Sequence, residues 1–225
     1  MLLVEADPTG GSAILAGFLR GTTPYDAGLV ELALSPLGTA DALREVVRQL
    51  SPSVSLVAGT RTHAQATALH DTWEPLALAL SDLEANGQDV IVDAGRLGLA
   101  GSPRPLLDTA DLTLLVTRTT LPAISAARSW AQTARQPATG WRDPGLLLIG
   151  EGTPYTGREV ATVLGLPVIA DLPDDPAAAA VYHRGAPLPR HFDTGTYMRG
   201  LQAAAQALQA RVSHGRFPVA EEATR

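Results

Sequence analysis

Acidic side chains follow short apolar runs at two places in the chain. Glu5 ends the run Leu2 to Glu5, and Asp7 follows two residues later, before a tight turn. Asp93 ends a second run, Val90 to Asp93. Ligands of parallel α/β sheets bind at the carboxyl ends of strands, so these carboxylates are placed to reach a metal ion or a nucleophilic water. The alternative is that they only end strands and cap turns, a frequent use of aspartate.

Six short apolar runs alternate with segments of helical period, which predicts an α/β fold with a mostly parallel sheet covered by helices on both faces. The predicted strands are Leu2 to Glu5, Val54 to Ala58, Val90 to Asp93, Leu112 to Thr117, Leu146 to Ile149 and Val168 to Ala170. The predicted helices are Ala40 to Leu50, Trp73 to Asn86, Pro122 to Arg135, one from Thr156 to Gly165, one from Asp175 to Gly185, and Tyr197 to Ser213. We expect one domain over residues 1–216 and a frayed tail over 217–225.

Composition narrows the function classes. The formal net charge of −6 argues against a general polyanion binder. Cysteine is absent, which excludes disulfides and thiolate sites and fits a cytoplasmic location. All 17 basic residues are arginine, so no lysine is available to any site. The five histidines show no metal-ligand spacing, and no G-x-S-x-G or G-x-G-x-x-G motif occurs.

In this order, the motifs resemble the ParA/MinD branch of P-loop ATPases. The segment Leu3 to Pro8 is similar to that family's VDxDPQ motif, and Asp93 is similar to its Walker B acid. The segment Ala110 to Thr117 resembles the strand after Walker B, and Leu164 to Asp175 resembles the LGxPVxGxIPxD segment. The resemblance extends from Leu2 to about Pro187.

The resemblance implies a role for each matching residue. Glu5 and Asp7 would line the switch and the hydrolytic water, and Asp93 would hold Mg²⁺ through water. Pro173 and Asp174 would border the nucleotide base. ATP and Mg²⁺ are the implied cofactors, with no cofactor as the alternative for the chain as written.

The chain departs from the family at its phosphate-binding loop. Family members begin with a strand and a loop of the form KGGxGK[ST], whose lysine and backbone N–H groups hold the phosphates. This sequence begins one strand later and has no lysine. We therefore expect an N-terminally truncated relative without ATPase activity in this form. The natural protein is then expected to begin upstream of Met1.

The segment Gly152 to Glu159 imitates a phosphate-binding loop, because it follows a strand, opens a helix and matches G-x4-G with arginine in place of lysine. Glu159 stands where a metal-binding hydroxyl belongs, and Pro154 removes a backbone donor. Thr156 and Glu159 also have capping-box spacing, which favours an ordinary helix start.

Two functions are compatible with these observations. The first is a partitioning or positioning switch of the ParA/MinD type, and the second is a nucleotide-free module of the same fold that binds a protein partner. A homodimer or an intact ParA-like relative is the expected partner. Arginines in the C-terminal third (Arg184, Arg190, Arg199, Arg211 and Arg216) leave DNA contact open, but an ordinary solvated surface is favoured. A membrane role is disfavoured, because the tail is not a basic amphipathic helix.

The absent first strand has a structural consequence. In the family's topology it lies between the strands that correspond to Val90–Asp93 and Leu112–Thr117. Neighbouring strands pair at about 4.8 Å, so an empty position leaves unpaired backbone groups on both. We expect this gap to be closed or filled in a stable protein.

Overall fold

The computed structural model describes residues 1–137 and 140–216, which divide into two compact units. The first unit contains Met1–Thr109 together with Ala179–Pro187, and the second contains Ala110–Ala178 and the chain from Leu188 onward. Each unit has its own sheet. The predicted single domain stays a prediction, and the predicted tail lies outside the described residues.

The sheet of the first unit has the strand order β2-β3-β1-β4. Its strands are β1 (Leu2–Glu5), β2 (Arg48–Ser51), β3 (Val54–Val57) and β4 (Val90–Asp93). The central strand β1 pairs in parallel with β3 and β4, whereas β2 pairs antiparallel with β3. The parallel pairing places the carboxyl ends of β1, β3 and β4 at the same edge of the sheet.

One face of this sheet is covered by helices. The unit contains a π-helix (Ile14–Phe18), α1 (Leu29–Leu34), α2 (Thr39–Val46), α3 (His63–Ala66), a 3-10 helix (Thr67–Thr72), α4 (Trp73–Ala85) and α5 (Arg104–Thr109). Leu2 and Val4 pack in one core cluster with Leu29, Leu43 and Leu76, all nearly inaccessible to solvent. Alternation along β1 therefore directs Leu3 and Glu5 to the second face.

The prediction of one helix over Ala40 to Leu50 is wrong at its carboxyl end. Helix α2 ends at Val46, Val47 is extended, and residues 48–51 form β2. The Pro52-Ser53 turn returns the chain antiparallel onto β3. Leu50 continued the helical period in the sequence, so the turn decided the structure here rather than the apolar pattern.

The second unit has a parallel sheet with the order β5-β6-β7. Its strands are β5 (Thr113–Arg118), β6 (Pro144–Ile149) and β7 (Val168–Leu172), and its helices are α6 (Leu121–Ala134), α7 (Gly157–Leu164), a 3-10 helix (Phe192–Thr194) and α9 (Thr196–Arg216). Helix α8 (Pro176–Arg184) begins in this unit and continues in the first. The Asp175 carboxylate accepts a bond from the Ala178 N–H at 2.9 Å, the N-cap that the sequence predicts.

The strands that flank the expected gap are both outermost strands. Within residues 1–137 and 140–216, β4 ends the first sheet and β5 ends the second. Each carries an exposed apolar side chain, with Ile91 54% exposed on β4 and Val116 57% exposed on β5.

Among the described helices, none is long and apolar enough to cross a membrane.

The segment Gly152 to Glu159, which matches part of a phosphate-loop pattern, forms a capped helix start. Thr156 Oγ1 accepts a bond from the Glu159 N–H, while Glu159 Oε2 accepts from the Thr156 N–H at 2.8 Å. The backbone and side-chain hydrogen bonds from Thr156 hold the pKa of Glu159 below its usual value. Helix α7 ends at Gly165, which has φ +66°. The interpretation as a capping box is confirmed.

We expect Thr156→Ala to lower the free energy of unfolding by about 1 kcal/mol at neutral pH, because it removes the cap. Thr162→Ala on the same helix is the control, since its hydroxyl only bonds the Arg158 carbonyl one turn back. A depressed carboxyl pKa stabilises the fold above the ordinary glutamate pKa, and this stabilisation is lost as pH falls through the depressed value. Urea unfolding against pH should show the deficit of Thr156→Ala shrinking in acid by the part that comes from the Thr156 Oγ1–Glu159 Oε2 bond, because the variant keeps the Thr156 N–H bond. Equal stability of Thr156→Ala and Thr162→Ala at neutral pH would contradict the capping role.

Candidate functional site at the carboxyl end of the first sheet

The three predicted carboxylates of the first unit lie together. Glu5 and Asp93 are register partners on β1 and β4, and Asp7 follows β1. They line a pocket of about 310 Å³, whose other walls come from the turn at Gly10 and Gly11 and from the residues that lead into the π-helix. Parallel pairing of β1 with β4 produces this cluster, as the sequence predicts.

Glu5 is a buried carboxylate, only 6% exposed. Its Oε1 accepts from the Ile14 N–H at 3.1 Å, and its Oε2 accepts from the Gly59 N–H at 3.5 Å. A buried carboxylate needs such donors, because desolvation without compensation is costly. Glu5 therefore joins the start of the π-helix to the residues that follow β3.

Asp93 is held by the turn after β4, and Asp7 is held by the turn after β1. The Gly95 N–H donates to Asp93 Oδ1 at 2.9 Å, and the Thr9 N–H donates to Asp7 Oδ1 at 2.8 Å. Gly95 has φ +67°, and a Cβ placed on it would lie 2.2 Å from Asp7 Cγ. Only glycine therefore fits between the turn and the Asp7 carboxylate.

Tyr25 supports the site from behind. Its hydroxyl lies 2.7 Å from the Gly59 carbonyl and 2.9 Å from that of Thr60. Burial, followed by the negative charge of Glu5, raises the pKa of Tyr25 to about 12. Arg61 lies 5.4 Å over the ring, donates to the Tyr25 carbonyl at 2.9 Å and pairs with Glu31 at 2.6 Å.

The side chains that line the pocket do not fit a nucleoside triphosphate. The described walls carry carboxylates, hydroxyls and small residues but no basic side chain. The Gly10 N–H already bonds the Asp7 carbonyl, and the Gly11 N–H bonds the Thr60 carbonyl. Within the described ranges no group of three His, Asp or Glu side chains has metal-binding geometry. Phosphates would meet like charge here without a compensating cationic side chain among the described walls.

The two remaining predicted site residues, Pro173 and Asp174, lie in the second unit after β7. Asp174 pairs with Arg118 at the end of β5, and Pro173 packs against Gly200 of α9. Nearby, Thr119 Oγ1 lies 2.7 Å from the Gly150 carbonyl and 2.9 Å from that of Thr153. Their role at a nucleotide base stays a prediction.

Sequence reasoning missed the supporting residues Tyr25, Arg61 and Gly95. Tyr25 lies in a loop without periodicity, so the sequence contains no signal that it reaches Gly59. Gly95 did carry a signal, because a glycine two residues after a strand-ending aspartate is typical of a turn with positive φ.

Gly95→Ala is expected to lower the free energy of unfolding by about 2–5 kcal/mol, from left-handed backbone strain plus the collision with Asp7. Gly87→Ala is the matched control, because Gly87 has φ +79° but open space around its Cβ position. It should lose only about 1–2 kcal/mol. Denaturant unfolding checks both, and equal losses would show that Gly95 does not press on Asp7.

Tyr25→Phe is expected to cost about 1–2 kcal/mol at neutral pH, because the Gly59 and Thr60 carbonyls lose the hydroxyl proton that they share, and among the described residues only Thr60 keeps another donor, the Gly11 N–H. A raised pKa stabilises the fold fully below the unfolded value near 10, and the effect is lost as pH rises through about 12. The stability difference between the two proteins should therefore close in that range. In the absorbance titration of tyrosinate, the variant should lack the last-ionising phase, and Glu5→Gln should move that phase to lower pH. An unchanged titration in both variants would contradict the network.

The comparisons with known proteins agree with this architecture. No known family profile matches the sequence, and no curated protein matches it. Among solved structures, a ParA family ATPase from Chlorobium tepidum TLS is 18% identical with a TM-score of 0.64, covering 96% of this chain and 84% of its own.

Two MinD structures are similar to the chain as well. MinD of Pyrococcus horikoshii OT3, complexed with Mg-ADP, is 16% identical with a TM-score of 0.70, covering 95% of this chain and 85% of its own. The MinC:MinD complex of Aquifex aeolicus matches at 14% identity and a TM-score of 0.66, covering 93% and 82%. The chain therefore has the α/β fold of the ParA and MinD ATPases.

Proposed function

We propose that this chain is a positioning protein of the ParA/MinD type that, in the form given, acts through contacts with other proteins and does not turn over ATP. The observation that carries the proposal is the cluster of three carboxylates at the carboxyl end of the first sheet. Glu5, Asp7 and Asp93 line that pocket, and the described walls contribute no basic side chain.

The negative charge of the three carboxylates argues against ATP turnover by this site alone. Phosphoryl transfer is catalysed by positioning and by stabilising negative charge that spreads over the transferred group. Three carboxylates without a cation would repel the phosphates, and so would hinder their positioning and destabilise the developing negative charge. Removing a single oxyanion donor from an enzyme costs roughly 10²–10³ in rate, and here the entire phosphate-binding set is missing from the pocket.

The second candidate is an ATP-dependent switch, favoured by the likeness to MinD in complex with Mg-ADP. In that function Glu5 and Asp7 would orient the attacking water, and Asp93 would hold Mg²⁺ through water. Pro173 and Asp174 would border the base. Phosphate-binding groups would have to come from residues other than the described walls of this pocket.

The protein-binding half of the proposal is supported by the fold, and the negative net charge of the chain favours a protein over DNA as the partner. The MinC:MinD structure shows a partner on a protein of this fold. A homodimer and an intact ParA-like relative are the partners that the proposal includes. DNA contact is disfavoured by the net charge of −6.

We expect the purified chain to release no phosphate from Mg-ATP above the buffer background, because the pocket stabilises no developing negative charge. Phosphate release and binding of a fluorescent ATP analogue are the measurements. Asp93→Ala tests the site, and Asp89→Ala at the other end of the same segment is the matched control. Magnesium-dependent turnover that vanished in Asp93→Ala and persisted in Asp89→Ala would refute the proposal and establish the switch.

A further inference from the structure

The second face of the first sheet loses its cover from β3 toward β4. Leu56, Leu3 and Ile91 form a row across β3, β1 and β4, since Leu3 pairs in register with both of the others. Leu56 is fully buried, Leu3 is half-buried and Ile91 is 54% exposed. The π-helix and residues 179–187 cover only part of this face. Parallel sheets are normally covered on both faces, so the row lacks a partner.

An apolar cavity of about 470 Å³ opens beside this row. Leu3, Ile14, Leu50 and Val54 line it, and Phe18 and Tyr182 stack at 5.9 Å between ring centroids to form one wall. Phe18 is 48% exposed. Exposed apolar surface of this kind, rimmed by polar residues, marks an interaction site.

The rim beside the aromatic wall is basic. Arg184 Nε donates to His183 Nε2 at 3.0 Å, and His183 lines the cavity. The Arg20 side chain lies against the backbone of Gly185. Neither guanidinium has a carboxylate partner within residues 1–137 and 140–216, although the chain as a whole is acidic. This corner of the surface is therefore complementary to an anionic partner.

The extent of the apolar surface selects the kind of partner. A small amphiphile would fill the cavity but leave Ile91 exposed, because Ile91 is not part of the cavity wall. The accessible apolar side chains Val54, Leu3 and Ile91 lie on β3, β1 and β4, which span two strand spacings, about 9.6 Å, close to the roughly 10 Å diameter of an α-helix. A helix is also the element that usually covers a parallel sheet.

We propose that an amphipathic α-helix of a partner protein, with acidic residues along one flank, docks on this face. Its apolar stripe packs on Leu3, Val54 and Ile91 and against Phe18, and its acidic flank faces Arg20 and Arg184. This inference rests on the protein-binding half of the proposed function and names its surface.

A designed peptide of about 18 residues, five helical turns, tests the surface. It carries Leu at i, i+3, i+4 and i+7 spacing, Glu on one flank and Ala elsewhere. We expect it to bind the full chain and to gain helical circular dichroism on binding. A scrambled peptide of the same composition should bind at least tenfold more weakly, and a version with Arg in place of Glu roughly fivefold more weakly. No binding of the Glu-flanked helix, or equal binding of the scrambled peptide, overturns the proposal.

Protein variants locate the contact. Ile91→Asp should weaken peptide binding at least tenfold, whereas Leu78→Asp, at a position 66% exposed on α4, should leave it unchanged. Arg20→Ala with Arg184→Ala should remove the difference between the Glu and Arg peptides, which a merely unfolded variant would not do selectively. Thermal unfolding confirms that each variant folds.

Other occupants give distinct results. Dodecanoate binding without peptide binding, or self-association that depends on Ile91 and resists the peptide, would replace the helix with an amphiphile or a second copy and overturn the proposal. Phosphate release from Mg-ATP, measured on the same samples, tests the proposed function separately, because turnover refutes that function whether or not the peptide binds. Peptide binding can be absent while the chain still lacks ATP turnover.

Discussion

The burial of the Glu5 carboxylate is the constraint on which the first unit depends. A charged group that is 6% exposed must be given donors, and the chain supplies the Ile14 and Gly59 N–H groups. These two bonds fix where the π-helix begins and where the chain leaves β3. Tyr25 then holds the Gly59 and Thr60 carbonyls on the other side. The loop geometry of the pocket follows from satisfying one buried charge.

The π-helix divides the second face of this sheet into two chemically different regions. Toward the carboxyl ends of the strands lies the acidic pocket, and toward their amino ends lies the apolar cavity; Ala13 lines both. The division follows from β1 itself, because Leu3 and Glu5 point to the same face. One strand therefore supplies both the candidate polar site and the floor of the candidate docking surface.

Sequence alone predicted the elements that have their own local signals. The bounds of β1 and β4 are those expected, because each is a short apolar run that ends in an acid. The capping box at Thr156 was found for the same reason, since its partners are three residues apart. Strand β2 was missed because its pairing with β3 depends on the turn at Pro52 and Ser53 rather than on an apolar alternation. The Tyr25 bonds were missed because their acceptors lie more than thirty residues away in sequence.

The outermost strands, β4 and β5, have sequences that are typical of buried strands. Natural sheet edges are usually protected by lysine, proline, a bulge or a covering element. Strand β4 reads Val90-Ile91-Val92-Asp93, pairs with β1 in unbroken register, and leaves Ile91 exposed. In the second unit, β5 likewise pairs in continuous register with β6 and leaves Val116 exposed. Between Val90 and Val92 on β4, and between Thr113 and Thr117 on β5, neither strand carries a charged residue, a proline or a bulge that would protect its edge. Their sequences are those of strands selected for burial, so the surfaces beside them are stable in water only to the extent that another element covers them.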